Sequence, residues 1–291
     1  MKNLILILIL IILFFFIKVL QIENFSQYNK LVIFHNSGFF SCCSVKLSKI
    51  VDYVNHHKKL PLVIDSSNQF KLYKPTGYKN IDVTYHYFKN YNDIKNIKIS
   101  FPINYYHKDQ YKDYSKLDYK NITPLIKKIF SPSNKIKERI NYLERKYNVD
   151  YNNILAVYYR GTDKIKETKI ASFNNFYEKI LKIINKNRNI KILIQTDTFQ
   201  FLDYIRNKNI KNIIVFKENK ISKTNNGIHN EQSKNVNYHD MFNFLSTVFI
   251  ISKCKYIICS SGNVSIWIML FRGNNKNVIQ YLNNNWYSSL V

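Results

Sequence analysis

The chain has 291 residues, of which 44 are Lys or Arg and 19 are Asp or Glu, giving a formal net charge of +25. Hydrophobic residues make up 46% and aromatics 15%, too many for a disordered chain, while 6 Gly and 5 Pro exclude collagen-like and Gly/Pro-rich low-complexity classes. Four Cys are too few for a disulfide scaffold, and the spacing of Cys42, Cys43, Cys254 and Cys259 fits no zinc site.

The positive charge is spread along the whole chain. It comes with an excess of Asn, Ile and Tyr, a bias that A/T-rich codons favour, so most of it reads as compositional background. It still attracts anionic partners, and a nucleotide diphosphate qualifies as readily as RNA.

Residues 4–17 are an unbroken apolar run preceded by Lys2. A bilayer span needs about 20 residues, and residues 4–20 just span if Lys18 snorkels. No small-x-small cleavage site follows. Residues 1–24 therefore read as an uncleaved signal anchor, a single-pass type II transmembrane segment with a lumenal, ER/Golgi-like catalytic part. In that compartment Asn121-Ile122-Thr123 is a glycosylation sequon.

Residues 31–35 read as a strand, and residues 62–64 as a second strand ending at Asp65-Ser66-Ser67. Between them Val45, Leu47, Ile50, Val51 and Val54 mark the apolar face of a helix over 44–54. This β-α-β opening implies a parallel sheet. Residues 71–120 are rich in Tyr, Lys and Asn and show no clear period. Ser133 caps a helix that carries Ile136, Ile140 and Leu143 on one face.

The second half alternates more clearly. Strands are expected at 154–159, 190–194, 213–216, 256–259 and 278–281. Helices are expected after the Ser172 cap, over 199–205, over 241–251, and from the Ser260-Ser261-Gly262-Asn263 turn to Gly273. Residues 217–236 read as a polar loop. The expected class is α/β, with an amino-terminal α/β lobe at 25–145 on the acceptor side. A doubly wound, nucleotide-binding lobe follows at 146–291.

In open α/β sheets ligands bind beyond the carboxyl ends of the strands. Three polar clusters fall there: Arg160 to Lys164, Thr196-Asp197-Thr198, and Ser260 to Ser265. Arg160 can grip two phosphate oxygens at once. Asp163 can hold that guanidinium or accept from a sugar hydroxyl, and Lys164 adds a second charge. Asp197 suits a base edge or a ribose hydroxyl, and equally a helix cap. The Ser260, Ser261, Gly262, Asn263 and Ser265 turn exposes N–H groups at a helix start, where phosphate binds. P-loop, GxSxG, HExxH and Asp-x-Asp patterns are absent, so a metal-free transferase that stabilises a leaving diphosphate fits what remains.

Tyr158-Tyr159-Arg160-Gly161-Thr162-Asp163-Lys164 resembles the His-x-Arg-Arg-Thr-Asp-Lys motif of the α-1,6-fucosyltransferases. Leu193-Ile194-Gln195-Thr196-Asp197 is similar to their second motif, and the stretch from Cys259 to Trp267 to their third. The resemblance covers roughly residues 150–275; before that, only Asn36 to Phe40 stands loosely where the family has a Gly-rich loop. It implies a two-lobed GT-B fold with GDP-fucose in the carboxyl-terminal lobe, inverting transfer to a glycan or glycoprotein hydroxyl, and no cofactor or metal. By position, Tyr158 lies near the nucleotide, Arg160 holds the β-phosphate, Asp197 the guanine or ribose side, and the Ser260 to Ser265 turn the diphosphate. Lys164 matches a lysine near the reaction centre, Glu167 is the candidate base, and Asp163 is the alternative. Tyr158 replaces the motif histidine, Gly161 its second arginine, and Thr198 the second Asp of motif two. Those departures leave open another nucleotide sugar on the same fold, or a catalytically inactive basic binding protein. Acceptor groups are expected from the amino-terminal lobe, near Asp65 and Ser66. Nucleic-acid recognition motifs are absent.

Overall fold

The computed structural model describes residues 11–14, 30–95, 97–162, 168–223, 227–230 and 232–291. Of the expected anchor at 4–20, only residues 11–14 are described, and they are helical; the rest lies outside the described residues. Among the described residues no helix is long and apolar enough to cross a membrane.

The amino-terminal half opens with β1 (Lys30–Val32), α1 (Phe39–His57) and β2 (Val63–Asp65). The two strands pair in parallel, Lys30 opposite Val63 and Val32 opposite Asp65. The helix begins five residues earlier than its apolar period suggested, because Phe39, Phe40, Cys42 and Cys43 are buried as well. The following stretch, including the short α2 (Thr84–Tyr87), consists mainly of single turns pinned by Tyr73, Tyr87, Tyr91, Tyr105 and Tyr114, all buried. Rings anchored one by one leave no helical or strand period, which is why this region was unreadable.

Two helices then lead to the main sheet. Helix α3 (Tyr119–Ile129) starts at Asp118, whose carboxylate accepts from the Asn121 N–H, and it buries Ile122, Leu125, Ile126 and Ile129. The Asn121 sequon is thus inside a helix. Its amide donates to both Asp118 oxygens at 3.0 Å and the Thr123 hydroxyl is buried. Helix α4 (Asn134–Lys146) has the Ser133 cap expected of it, with Ser133 Oγ accepting from the Ile136 N–H at 3.4 Å.

The carboxyl-terminal half alternates β3 (Ile154–Tyr159), α5 (Phe173–Ile184), β4 (Lys191–Thr196), α6 (Phe199–Arg206), β5 (Ile213–Ile214), α7 (Lys234–Lys253), β6 (Tyr256–Ser260), α8 (Asn263–Arg272), β7 (Val278–Leu282) and β8 (Asn285–Ser288). The strands form one six-stranded sheet in the order β5-β4-β3-β6-β7-β8, parallel except for β8. All six residues of β3 are buried, as a strand covered on both faces requires. The polar strand β8 was missed; it follows a turn in which Asn283 and Asn284 both take positive φ, 46° and 68°.

Alternate residues of β3 feed two cores. Leu155, Val157 and Tyr159 pack under α5 and α6 with Phe176, Ile180, Phe201 and Ile205. Ile154, Ala156 and Tyr158 face a larger core that runs without a break into the amino-terminal half, through Leu47, Phe88, Phe130 and Trp267. Trp267 Nε1 donates to Ser44 Oγ at 3.0 Å, and its ring lies 4.6 Å from that of Phe130. The molecule is an α/β protein with parallel sheets. The chain runs from β3 outward to β5 and returns to β6 on the other side of β3, so a ligand crevice is expected between β3 and β6.

Candidate functional site

A cleft of about 340 Å³ opens at that position, between the sheet and the amino-terminal half. The strand ends supply Tyr158, Arg160, Thr162, Gln195 and Asp197. Helix α7 supplies Asn237, Asp240, Met241 and Phe244; the start of α8 supplies Asn263 and Val264. Opposite them stand Ser37 to Ser41 at the start of α1, with Tyr73 and Gln110. Two helix N-termini therefore face one cleft, each presenting first-turn N–H groups that a helix leaves without intrahelical partners.

Asp197 organises the loop after β3. Its Oδ1 accepts the Gly161 N–H at 2.8 Å and its Oδ2 the Thr162 hydroxyl at 2.7 Å. Arg160 Nε lies 3.7 Å from the same Oδ2. Asp197 thereby sets the loop that aims the guanidinium, and its backbone carbonyl accepts from the Ser222 N–H at 2.9 Å. At Gly161 a Cβ would lie 2.7 Å from Tyr159 Cε1. The Tyr159 ring is stacked on Phe201 with centroids 4.2 Å apart, so making room for a Cβ means parting that stack. The glycine that replaces the motif's second arginine is thus coupled to the tyrosine before it. Thr198 occupies the N-cap position of α6 without a side-chain cap bond.

The serine turn is used differently from its reading as a phosphate cradle. Ser261 Oγ accepts from Gln280 Nε2 at 2.7 Å, and the Ser261 N–H donates to the Tyr281 carbonyl at 2.8 Å. Ser265 Oγ donates to the Ser260 carbonyl. The Gly262 N–H donates to the Tyr114 hydroxyl at 3.1 Å. These side chains hold the turn against β7 and the amino-terminal half; Ser260, Ser261, Gly262 and Ser265 do not line the cleft, whereas Asn263 does. Asn263 Oδ1 accepts from Ser44 Oγ at 3.0 Å, tying the start of α8 to α1.

Asp65 and Ser66 also fall outside the cleft lining. Asp65 is paired with Lys30 at 2.9 Å, and hydrogen bonds from Ser67, with Lys30 beside them, pull its carboxyl down to about 2. The Ser66 N–H donates to Asp82 Oδ2 at 2.9 Å. Asp163, Lys164 and Glu167 lie outside the described residues.

Several cleft residues were not singled out from the sequence. Asn219 Nδ2 donates to Gln195 Oε1 at 2.7 Å and to Thr247 Oγ1 at 2.8 Å. Its Oδ1 is buried with no partner among the described residues, an acceptor suited to a base N–H. Asp240 pairs with Lys220 at 3.0 Å, and Glu218 with Lys146 at 2.7 Å. The available signal was the spacing of Asn237, Asp240, Met241 and Phe244, one stripe of a helix with polar residues where a core face would be apolar. His35, whose Nε2 lies 2.9 Å from Ser41 Oγ, stands beside the cleft, and burial and then His107 push its pKa down.

No protein-family profile and no curated protein matches the sequence. Solved structures do. The NodZ fucosyltransferase from Bradyrhizobium superposes with a TM-score of 0.56 at 12% identity, over 90% of this chain and 99% of that one. Crystals of NodZ α-1,6-fucosyltransferase soaked with GDP-fucose match at 0.55 and 12% identity, over 90% and 99%; those grown with GDP match at 0.55 and 12%, over 90% and 98%. The chain has the NodZ fold. That likeness spans both halves, including the amino-terminal part whose sequence resembled the fucosyltransferases only loosely. On this NodZ-like frame the cleft combines a fixed guanidinium, two helix starts and an amide-lined wall. That combination can hold a diphosphate and a hydrogen-bonding base while leaving a polar mouth for a second substrate.

Proposed function

We propose that the protein is a glycosyltransferase that uses a nucleoside-diphosphate sugar, GDP-fucose first among the candidates, and transfers the sugar with inversion to a glycan or glycoprotein hydroxyl. The observation that carries this reading is the convergence of Arg160 with the starts of α1 and α8 in one cleft at the switch point of a NodZ-like sheet. In the transfer, the acceptor oxygen bonds to the anomeric carbon as the bond from that carbon to the phosphate oxygen breaks. The nucleoside diphosphate leaves with the electron pair. Charge on the departing diphosphate is met by Arg160 and the helix N–H groups, which are positioned before it develops. The acceptor proton passes to a carboxylate.

Three carboxylates of the cleft are already engaged: Asp197 by the β3 loop, Glu218 by Lys146 and Asp240 by Lys220. The resemblance to the fucosyltransferase motif makes Glu167 the candidate base, with Asp163 as the alternative. The chain enters that stretch from Thr162, itself a cleft residue. Lys164 supplies further positive charge to the leaving group. Residues 4–20 anchor the protein in a membrane, with the cleft on the lumenal side.

A second reading keeps the fold and changes the donor base. Its support is Tyr158, which stands in the cleft in place of the motif histidine. The full chain in detergent, given GDP-fucose, is expected to release GDP, slowly without acceptor, and Arg160→Ala is expected to abolish that release. Turnover of a UDP-sugar instead would select the second reading. No turnover or binding with any nucleotide sugar would overturn both.

A further inference from the structure

Parallel sheets normally have both faces covered, and the β1–β2 pair has only one. Its inner face, with Ile33 and Ile64, is buried in the core. Its outer face carries Val32, Val63 and, two residues on, Phe34, around the 2.9 Å Lys30–Asp65 ion pair. Phe34 is 71% exposed, Leu62 61%, Val63 49% and Val32 38%. Three large apolar side chains, Val32, Phe34 and Val63, therefore share this outer face without a described cover, Leu62 is exposed one residue before β2, and such a patch marks an interaction surface.

The apolar run that precedes this sheet in the sequence suggests lipid as the partner. Lys30 is preceded by the apolar run of residues 4–17. Ile11, Ile12, Leu13 and Phe14 are helical, and each is half or more exposed. Four consecutive positions cover most of a helix circumference. A helix that is apolar all round needs an apolar medium on every side, which one sheet face cannot supply and lipid can. The rim is basic: Lys30 starts β1, and the exposed Lys58 and Lys59 lie just before β2. Both parallel strands begin at this end. Ser37 to Ser41, on the cleft, follow the opposite end of β1.

The geometry points to a membrane-resting face, in which Val32, Phe34 and Val63, with Leu62 beside them in the sequence, lie on an anionic lipid surface. Lys30, Lys58 and Lys59 meet the headgroups, and the cleft stays open to solvent. This inference rests on the membrane reading of residues 4–20 and not on the transfer chemistry.

The test uses the full chain reconstituted into phosphatidylcholine vesicles with and without phosphatidylserine. An environment-sensitive fluorophore is placed at Phe34→Cys, at Leu62→Cys and, as a control, at the exposed Phe199→Cys. The native thiols at 42, 43, 254 and 259 are buried and their pKa values raised, so labelling is directed to the new cysteine. The expected result is co-flotation with vesicles, loss of most emission at 34 and 62 when the lipids carry bromine, little loss at 199, and weaker quenching without phosphatidylserine. Labels at 34 and 62 that are as open to aqueous iodide as the one at 199 would overturn the inference. So would labels shielded from both quenchers, which would mean that protein covers the face. A chain that does not float overturns the anchor and this face together, while GDP release reports separately on the transferase reading.

Discussion

Asp197 shows how one side chain can both line a cleft and organise the loop beside it. Its two oxygens are divided among a backbone N–H, a hydroxyl and a guanidinium, and all three belong to the loop after β3. The loop conformation in turn needs Gly161, because Tyr159 fills the space a Cβ would take. Gly161→Ala forces the Tyr159–Phe201 stack apart or moves Arg160. Overpacking of this kind costs about 1–3 kcal/mol. The variant is expected to melt at lower temperature and to bind nucleotide more weakly, read by thermal denaturation with and without GDP. An unchanged melting temperature and affinity would show that the stack yields easily.

At the scale of elements, two histidines make the amino-terminal half sensitive to acid. His35 lies just beyond β1 and His86 in α2, where its Nδ1 meets the Tyr238 hydroxyl at 3.0 Å. Burial lowers both from 6.5, helped by His107 at His35 and by Lys135 at His86. The folded state therefore favours the neutral rings. Their contribution is complete above 6.5 and is lost as pH falls through the lower folded values. Stability should decline as pH falls below 6.5, and a His35→Gln, His86→Gln double variant should decline less. Equal slopes in the two pH–melting curves would remove the histidines from the account.

The elements legible in the sequence were those with a single period. Strand β3 announced itself as six apolar residues, and α4 and α5 as capped amphipathic helices. Residues 71–120 were not legible, since most of their order comes from tyrosines packed from irregular turns. Helix α3 was hidden beside that region, with Pro124 inside it. In the site, Arg160 and Asp197 were readable because strand ends in an α/β sheet converge on one rim. The serines of the α8 turn were misplaced because a motif gives a position and not a direction. In the folded chain they turn to β7, and Asn263 and Val264 take the cleft. Asn219 and Asp240 sat in or beside a polar loop whose residues only the fold selects.

The whole molecule is held by a core that does not stop between its halves. Trp267 on α8 donates to Ser44 on α1 and packs on Phe130 beyond α3, and Asn263 is bonded to Ser44 as well. Such sharing predicts a single cooperative thermal transition, coincident by far-ultraviolet circular dichroism and by tryptophan fluorescence. Two separated transitions would mean that the halves unfold independently. The same continuity fixes the width of the cleft, because both of its walls are bonded to one core.

The central claim, that Arg160 grips a diphosphate held between the two halves, is tested most directly by calorimetric titration of the full-length protein and its Arg160→Ala variant with GDP. Loss of a charge-assisted contact of about 2 kcal/mol corresponds to roughly 30-fold weaker binding. The account predicts saturable, one-to-one binding to the wild-type chain and a loss of that order in the variant. Equal affinity in the two proteins, or no binding of GDP or any other nucleoside diphosphate to the wild type, would contradict it.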